Sequence, residues 1–344
     1  MTVGVALIGS GIFATEEHLP AIQAVPSLVT LKAIYSRSLQ SAKTLSENLS
    51  DVDLYSEDSE GKSFHDLLKR EDIKGVIIAL PILAQPSYIK QALAANKHVL
   101  AEKPIASDLA TAQDLLTWTR NPSNTTATYS VAENFRFLDS FLYASHLISS
   151  LGRILTFRVR VAANVPAGSK YYETAWRKEP EYQGGFLLDG GVHFAAATRL
   201  LLSGAGQKIT TLSAFTAQLQ SHLPPVDTMN AILRLSNGAS GTLGISFGTT
   251  DKGSEYLIAC EGGSVHVSMG KVTVKKDGKV VEEKEFKDEE AGVKQEVKAW
   301  AESLGSSLWK EAQNGDMAVG DLEIIESALR SGEQGGKPLA LKFQ

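Results

Sequence analysis

Hydrophobic positions in the first third of the chain change period again and again. Val3–Ile8, 28–35, 75–80 and 99–102 are short, nearly continuous apolar runs, as strands buried on both faces require. Between them 19–25, 42–49, Phe64–Leu68, 88–95 and Leu109–Thr119 carry helix-compatible patterns. This alternation predicts an α/β fold with a parallel, doubly wound sheet. Asn121-Pro122-Ser123-Asn124 breaks the last helical pattern, and 126–131 reads as a final strand. A Rossmann domain is therefore expected over residues 1–128.

Beyond it the period changes. Segments 154–161, Ile209–Ala217, 230–235, 242–247, 255–260, 264–268, 272–275 and 280–285 alternate as half-buried strands. Asn237-Gly238, Gly262-Gly263 and Asp277-Gly278 fall between consecutive strands as hairpin turns, and the first and last are pairs favoured in type I′ turns. Helices are expected at 188–202, at 293–308 with Val293, Val297, Trp300, Leu304 and Leu308 on one face, and at 319–330. The expectation is a second, α+β domain over 129–344 with a large, open, mostly antiparallel sheet.

Composition narrows the role. A chain of 344 residues exceeds one ordinary core, and 43% hydrophobic with 21% charged residues describes a folded globular protein. A net charge of −5 without a basic run argues against nucleic acid or a membrane surface as partner. One cysteine, Cys260, excludes an intrachain disulfide and a multi-cysteine metal site, and no other ligand set has metal-like spacing. No apolar run is long enough to span a bilayer, and a strand starting at Val3 leaves no room for a leader, so the cytoplasm is expected.

The candidate chemistry begins at Val5–Ala14, where a strand runs into Gly9-Ser10-Gly11-Ile12-Phe13-Ala14. In a βαβ unit such a Gly-x-Gly-x-x-Ala turn brings bare backbone and a helix N-terminus against a pyrophosphate; in isolation it is only a tight turn. After the second strand, where an acid would accept from a ribose 2′-hydroxyl, stand Ser36, Arg37 and Ser38. Arg37 suits a 2′-phosphate and so NADP, or is an ordinary surface arginine. Leu80 and Pro81 end another parallel strand on the ligand side, as do Glu102 and Lys103, followed by Pro104. An ammonium there would stabilise a developing alkoxide; the plainer reading is a surface lysine before a turn. In Gly184-Gly185-Phe186-Leu187-Leu188-Asp189-Gly190-Gly191-Val192-His193, a helix starting near Leu188 would put Asp189 and His193 on one face. They would serve as orienter and proton carrier, or as a cap and a satisfied core histidine.

Together these motifs resemble the Gfo/Idh/MocA oxidoreductase family: Gly-x-Gly-x-x-Ala, Lys-His-Val-Leu-Ala-Glu-Lys-Pro-Ile-Ala at 97–106, and Gly-Gly-x-x-x-Asp-x-Gly-x-His. Ala175-Trp176-Arg177 and the segment 321–332 are similar to it too, and Glu133-Asn134-Phe135-Arg136 resembles fungal NADP-dependent members. The resemblance spans essentially the whole chain. It implies hydride transfer between nicotinamide and a hydroxyl or carbonyl carbon of a sugar, polyol or small aldehyde. Lys103, Asp189 and His193 match the catalytic positions, Gly9 to Phe13, Ser36 to Ser38, Leu80, Pro81, Glu102 and Lys103 the cofactor site. Arg136, Tyr172, Trp176 and Arg177 are expected beside the substrate, and a homodimer or higher homo-oligomer is implied. Two departures bear on substrate class: Leu80 and Gln85 replace a threonine and a histidine frequent in the family, and Phe194-Ala195-Ala196-Ala197 lacks an aspartate frequent after the histidine. Two rival readings are an NADP-responsive regulator of the same fold and a redox-neutral glycosidase retaining NAD; Arg37 counts against the second.

Overall fold

Burial on both faces selects the strands of the first sheet. In the computed structural model, which describes residues 2–268, 270–287, 289–306 and 308–344, β1 (Val3–Ile8), β2 (Val29–Ser36), β3 (Asp53–Ser56), β4 (Gly75–Ile78), β5 (His98–Glu102) and β6 (Tyr129–Ala132) form it. They lie in the order β3-β2-β1-β4-β5-β6, every pairing parallel. Helices α1 (Leu19–Gln23), α2 (Leu39–Ser46), α3 (Phe64–Leu68), α4 (Gln85–Ala94) and α5 (Leu109–Thr119) make the connections. Ser38, Ser63 and Asp108 cap α2, α3 and α5 by accepting from backbone N–H groups of the first turn. The chain winds outward from β1 to β3 and then returns to β4 beside β1. That reversal leaves a crevice at the C-terminal ends of β1 and β4, where doubly wound sheets hold ligands. The short strand β3 adds an element to the expected pattern.

Next come α6 (Asp139–Ser149), β7 (Ile154–Ala163), α7 (Ala175–Lys178), α8 (Gly185–Ser203) and strands β8 (Ile209–Ala217), β9 (Thr228–Leu235), β10 (Ser240–Ser246), β11 (Lys252–Cys260), β12 (Gly263–Ser268), β13 (Lys271–Lys276) and β14 (Lys279–Glu285). With β15 (Leu339–Ala340) these strands make a nine-stranded sheet, antiparallel except where β7 meets β10. Met229, Ala231, Leu233 and Leu235 of β9 point inward, while Asn230, Ile232 and Arg234 are exposed on the other face. Asp277 and Gly278 both have positive φ, as a type I′ turn requires. At Asn237-Gly238 only Gly238 does, so this hairpin uses a longer turn, with Asn237 Nδ2 donating to the Ile154 carbonyl at 2.9 Å.

Helices α9 (Val293–Ser306) and α10 (Gly315–Glu333) complete the fold. Packing divides the chain into one unit of residues 1–133 and 293–318 and another of 134–292 and 319–344. The expected second domain ran unbroken from 129; instead α9 packs within the first unit. The reason is Trp300, fully buried against Gly75, where a Cβ would stand 2.8 Å from the indole. The helix ends at Ser306, short of the expected 308; Ser307 lies outside the described residues and Leu308 is exposed.

His98 supplies a test of the first unit. Its Nδ1 lies 2.9 Å from the Thr128 hydroxyl and accepts the Thr128 N–H at 3.1 Å, and burial holds the imidazole below its ordinary pKa. A depressed folded pKa means the unfolded chain binds the proton first. Stability is therefore present above the unfolded value of about 6.5 and is lost as pH falls from there towards the folded value. Calorimetry between about pH 7.5 and 5.5 should show a falling Tm whose slope is reduced in His98→Asn; parallel slopes would show that His98 is not the titrating group.

Candidate active site

The first unit builds a cradle at the end of β1. Gly9 has φ 112° and lies so close to β4 that a Cβ would come 2.3 Å from the Ala79 carbonyl oxygen. At Gly11 a Cβ would meet nothing within 4 Å, so bare backbone faces open space there. Ile12 and Phe13 open the helical segment, and the Thr15 N–H closes its first turn on the Gly11 carbonyl at 3.0 Å. These features fit a dinucleotide pyrophosphate, which needs close backbone approach and N–H donors.

At the end of β2, Ser36 is buried and its hydroxyl accepts from Ser10 at 2.7 Å, joining the glycine turn to the next strand. Arg37 is exposed, and Ser38 caps α2. An acid does stand nearby: Asp58 accepts the Leu39 N–H at 2.8 Å, and hydrogen bonds from Ser56 and Leu39 hold its carboxyl below the usual range. Leu80 and Pro81 follow β4, partly buried and exposed respectively. Gln85 begins α4 fully buried, and neither its amide oxygen nor its nitrogen has a partner among the described residues. Glu102 ends β5, and Lys103, half-buried, joins Pro104 through a cis peptide.

The second unit carries the other motif on α8. This helix starts at Gly185, a turn ahead of the expected Leu188, because Gly184 takes a left-handed conformation and Gly185 lies against the Pro224 carbonyl. Asp189 and His193 share one of its faces, as the spacing predicts. Asp189 is buried and accepts the Arg177 Nε–H at 2.7 Å. The Arg177 guanidinium in turn lies 3.9 Å from the Trp176 ring centroid, both residues sitting on α7. His193 stacks on Phe135 with centroids 4.9 Å apart. Tyr172 packs edge-on to His222 at 5.3 Å and stacks on Phe186.

Arg136, expected beside the substrate, is buried in an ion pair with Asp321, which also accepts from Arg199 at 2.7 Å. Three neighbours escape sequence reasoning: Phe135 under the imidazole, the fully buried His18 against Glu102, and Tyr182. Burial and the Asp189 charge push the Tyr182 phenol well above its ordinary pKa. His18 and Tyr182 lie in no motif read from the sequence, whereas Phe135 belongs to the Glu133-Asn134-Phe135-Arg136 stretch, where its stacking role was not visible.

A nucleotide-binding parallel sheet joined to a sheet-and-helix unit that presents an Asp–His pair defines an oxidoreductase architecture. The chain matches the oxidoreductase family described as GFO_IDH_MocA, NAD-binding Rossmann fold, over residues 3–130, and the GFO/IDH/MocA C-terminal domain over 141–266. It is 40% identical to dehydrogenase FPY6 of Fusarium mangiferae across 99% of this chain and 100% of that one. It is 23% identical to D-xylose 1-dehydrogenase (NADP(+)) 2 of Haloferax volcanii across 96% and 97% of the two chains. A crystal structure of an oxidoreductase from Thermotoga maritima superposes with a TM-score of 0.87 at 27% identity, covering 99% of this chain and 98% of that one. The protein belongs to the Gfo/Idh/MocA oxidoreductase family.

Close packing under α8 fixes the Asp–His face. A Cβ on Gly190 would stand 2.6 Å from the Phe247 ring. Gly190→Ala should therefore destabilise the protein by about 1–3 kcal/mol, read as a shift in denaturant midpoint; an unchanged midpoint would mean that Phe247 yields freely.

Proposed function

We propose that this protein is an NADP-dependent dehydrogenase or reductase acting on a hydroxyl or carbonyl carbon of a sugar, polyol or small aldehyde. The observation that carries the reading is α8, which presents Asp189 and His193 one turn apart with Arg177 locked onto the aspartate. Gly9 to Phe13 would receive the pyrophosphate, and Ser36, Arg37 and Ser38 the adenosine 2′-phosphate. Leu80, Pro81 and Glu102 would line the remainder of the cofactor site, which the open backbone at Gly11 fits. When bound, the nicotinamide supplies or takes up the hydride.

The chain's own residues handle the proton and the oxygen. His193 takes the hydroxyl proton in oxidation and returns it in reduction. Asp189, held by the Arg177 Nε–H, lies one turn from the imidazole on the same helix face and would orient it. Stacking on Phe135 limits rotation of the ring. The Lys103 ammonium holds the substrate oxygen and stabilises its developing negative charge. Trp176, Tyr172 and Arg177 shape the substrate side; Arg177 does so while bound to Asp189. The NADP(+) in the name of the Haloferax relative supports the cofactor choice, as does Arg37.

The test is absorbance of reduced nicotinamide across a panel of sugars, polyols and aldehydes, with NADPH or NADP⁺ and the NAD pair as control. Turnover should favour the NADP pair, and Arg37→Ala should raise KM for NADPH by about tenfold, one charge-assisted contact, while kcat stays near wild type. Lys103→Ala and His193→Ala should bind NADPH and lose turnover. Tight NADPH binding without turnover on any substrate would support a regulator instead.

We also propose a homodimer through the exposed face of the nine-stranded sheet. Phe215 and Ile232 are 66% and 61% exposed on adjacent strands of that face, apolar side chains that a second copy of the sheet would cover. Sedimentation should give a dimer that Ile232→Arg weakens; a wild-type monomer at micromolar concentration would rule it out.

A further inference from the structure

Helix geometry after the glycine turn points to one more residue. Pro20 has no N–H to give to a carbonyl a turn earlier, and just ahead of it the helix widens to a π turn over Ala14–His18. There the Leu19 N–H reaches the Ala14 carbonyl. His18, the last residue of that turn, is fully buried. Its ring meets Phe13 edge-on at 5.3 Å, and its Nε2 lies 2.7 Å from Oε1 of Glu102. A carboxylate only accepts, so Nε2 carries the shared proton.

Packing alone does not account for an imidazole here. A leucine would fill the space without burying a ring nitrogen, Nδ1, that has no partner among the described residues. What the imidazole adds is a tie between distant parts of the sheet. His18 belongs to the segment that follows β1, and Glu102 ends β5, with β4 between those strands. The next residue after Glu102 is Lys103.

We infer that His18 is a positioning residue: through Glu102 it sets the lysine-bearing end of β5 against the glycine turn. The inference rests on the proposed function for the role of Lys103. His18 itself touches neither substrate nor reacting atoms. Its hydrogen bond restrains the Glu102 side chain, and hence the backbone that leads into Lys103, relative to the segment opened by Phe13.

The experiment compares His18→Leu, His18→Gln, Glu102→Gln and the double variant combining His18→Leu with Glu102→Gln, all in the full chain. In His18→Gln the amide Nε2 can replace the imidazole donor. Three quantities are read: NADPH affinity by fluorescence, steady-state kinetics, and acetylation of Lys103 by limiting acetic anhydride, with other lysines as internal standards. His18→Leu should lower kcat by about tenfold to a hundredfold, the cost of a small misplacement, while NADPH affinity changes less than about threefold. Lys103 acetylation should shift relative to the standards, His18→Gln should restore most of both losses, and the double variant should be no worse than the poorer single one. Wild-type kcat and acetylation in His18→Leu would overturn the inference, as would equal losses in the leucine and glutamine variants. If the wild type turns over no substrate, the proposed function fails. The acetylation pattern and its rescue still decide the His18 tie.

Discussion

A parallel sheet carries the C-terminal end of every strand to one edge, and the first unit depends on that constraint. Gly9, Ser36 to Ser38, Leu80-Pro81 and Glu102-Lys103 are scattered through the sequence, yet each directly follows or ends one of β1, β2, β4 and β5. The reversal of winding between β1 and β4 opens the crevice they surround. Gly9 is required there twice over, by its positive φ and by the Ala79 carbonyl beside it. A side chain at that position would push β1 and β4 apart and close the edge that the remaining residues share.

The second unit solves a different problem, holding a polar pair on a helix that is otherwise buried. Most of α8 is apolar and packs on the sheet, so Asp189 lies in surroundings that penalise its charge. Arg177 offsets that penalty at 2.7 Å, and the Trp176 ring beneath the guanidinium keeps the arginine in place. Removing Arg177 would take a close partner from a buried charge, which costs more than losing an exposed ion pair. The same pairing holds the Asp189 side chain in one place on the face that also carries His193.

The fold was legible because burial writes itself into periodicity. The continuous runs of β1, β2, β4 and β5 and the alternation of β9 and β10 match the observed sheets. What escaped has physical reasons. Only Tyr55 and Ser56 of the four residues of β3 are buried, and with Asp53 exposed the strand shows no apolar run. In α6, Phe141, Ala144 and Ile148 keep helical spacing, but intervening serines dilute it. Trp300 and its helix joined the first unit through Gly75, a long-range fit that no local pattern encodes. The motif residues lie on strand ends and on α8, where motif and spacing put them, whereas the burial of Arg136 against Asp321 depends on a partner 185 residues away that no local pattern marks. His18 was unreadable because the π turn, not the ordinary helical period, sets where its ring points.

The acids of α10 show why burying charge can serve a site without adding stability. Asp321, Glu323 and Glu326 are all buried. Asp321 takes Arg136 and Arg199; Glu323 takes the Lys342 and Phe343 N–H groups at 2.6 and 2.8 Å together with the Gln344 amide; Glu326 takes Gln183 at 2.9 Å and Arg330. Well-packed apolar residues would often match such groups in stability, because desolvation consumes most of the Coulomb gain. Apolar residues tolerate sliding, however, while a hydrogen-bonded charge accepts one register only. Arg136 follows Phe135, whose ring lies under His193, and Arg199 sits on the same helix as that histidine. Asp321 holds both arginines, so buried charges fix the spacing between the aromatic platform and the imidazole.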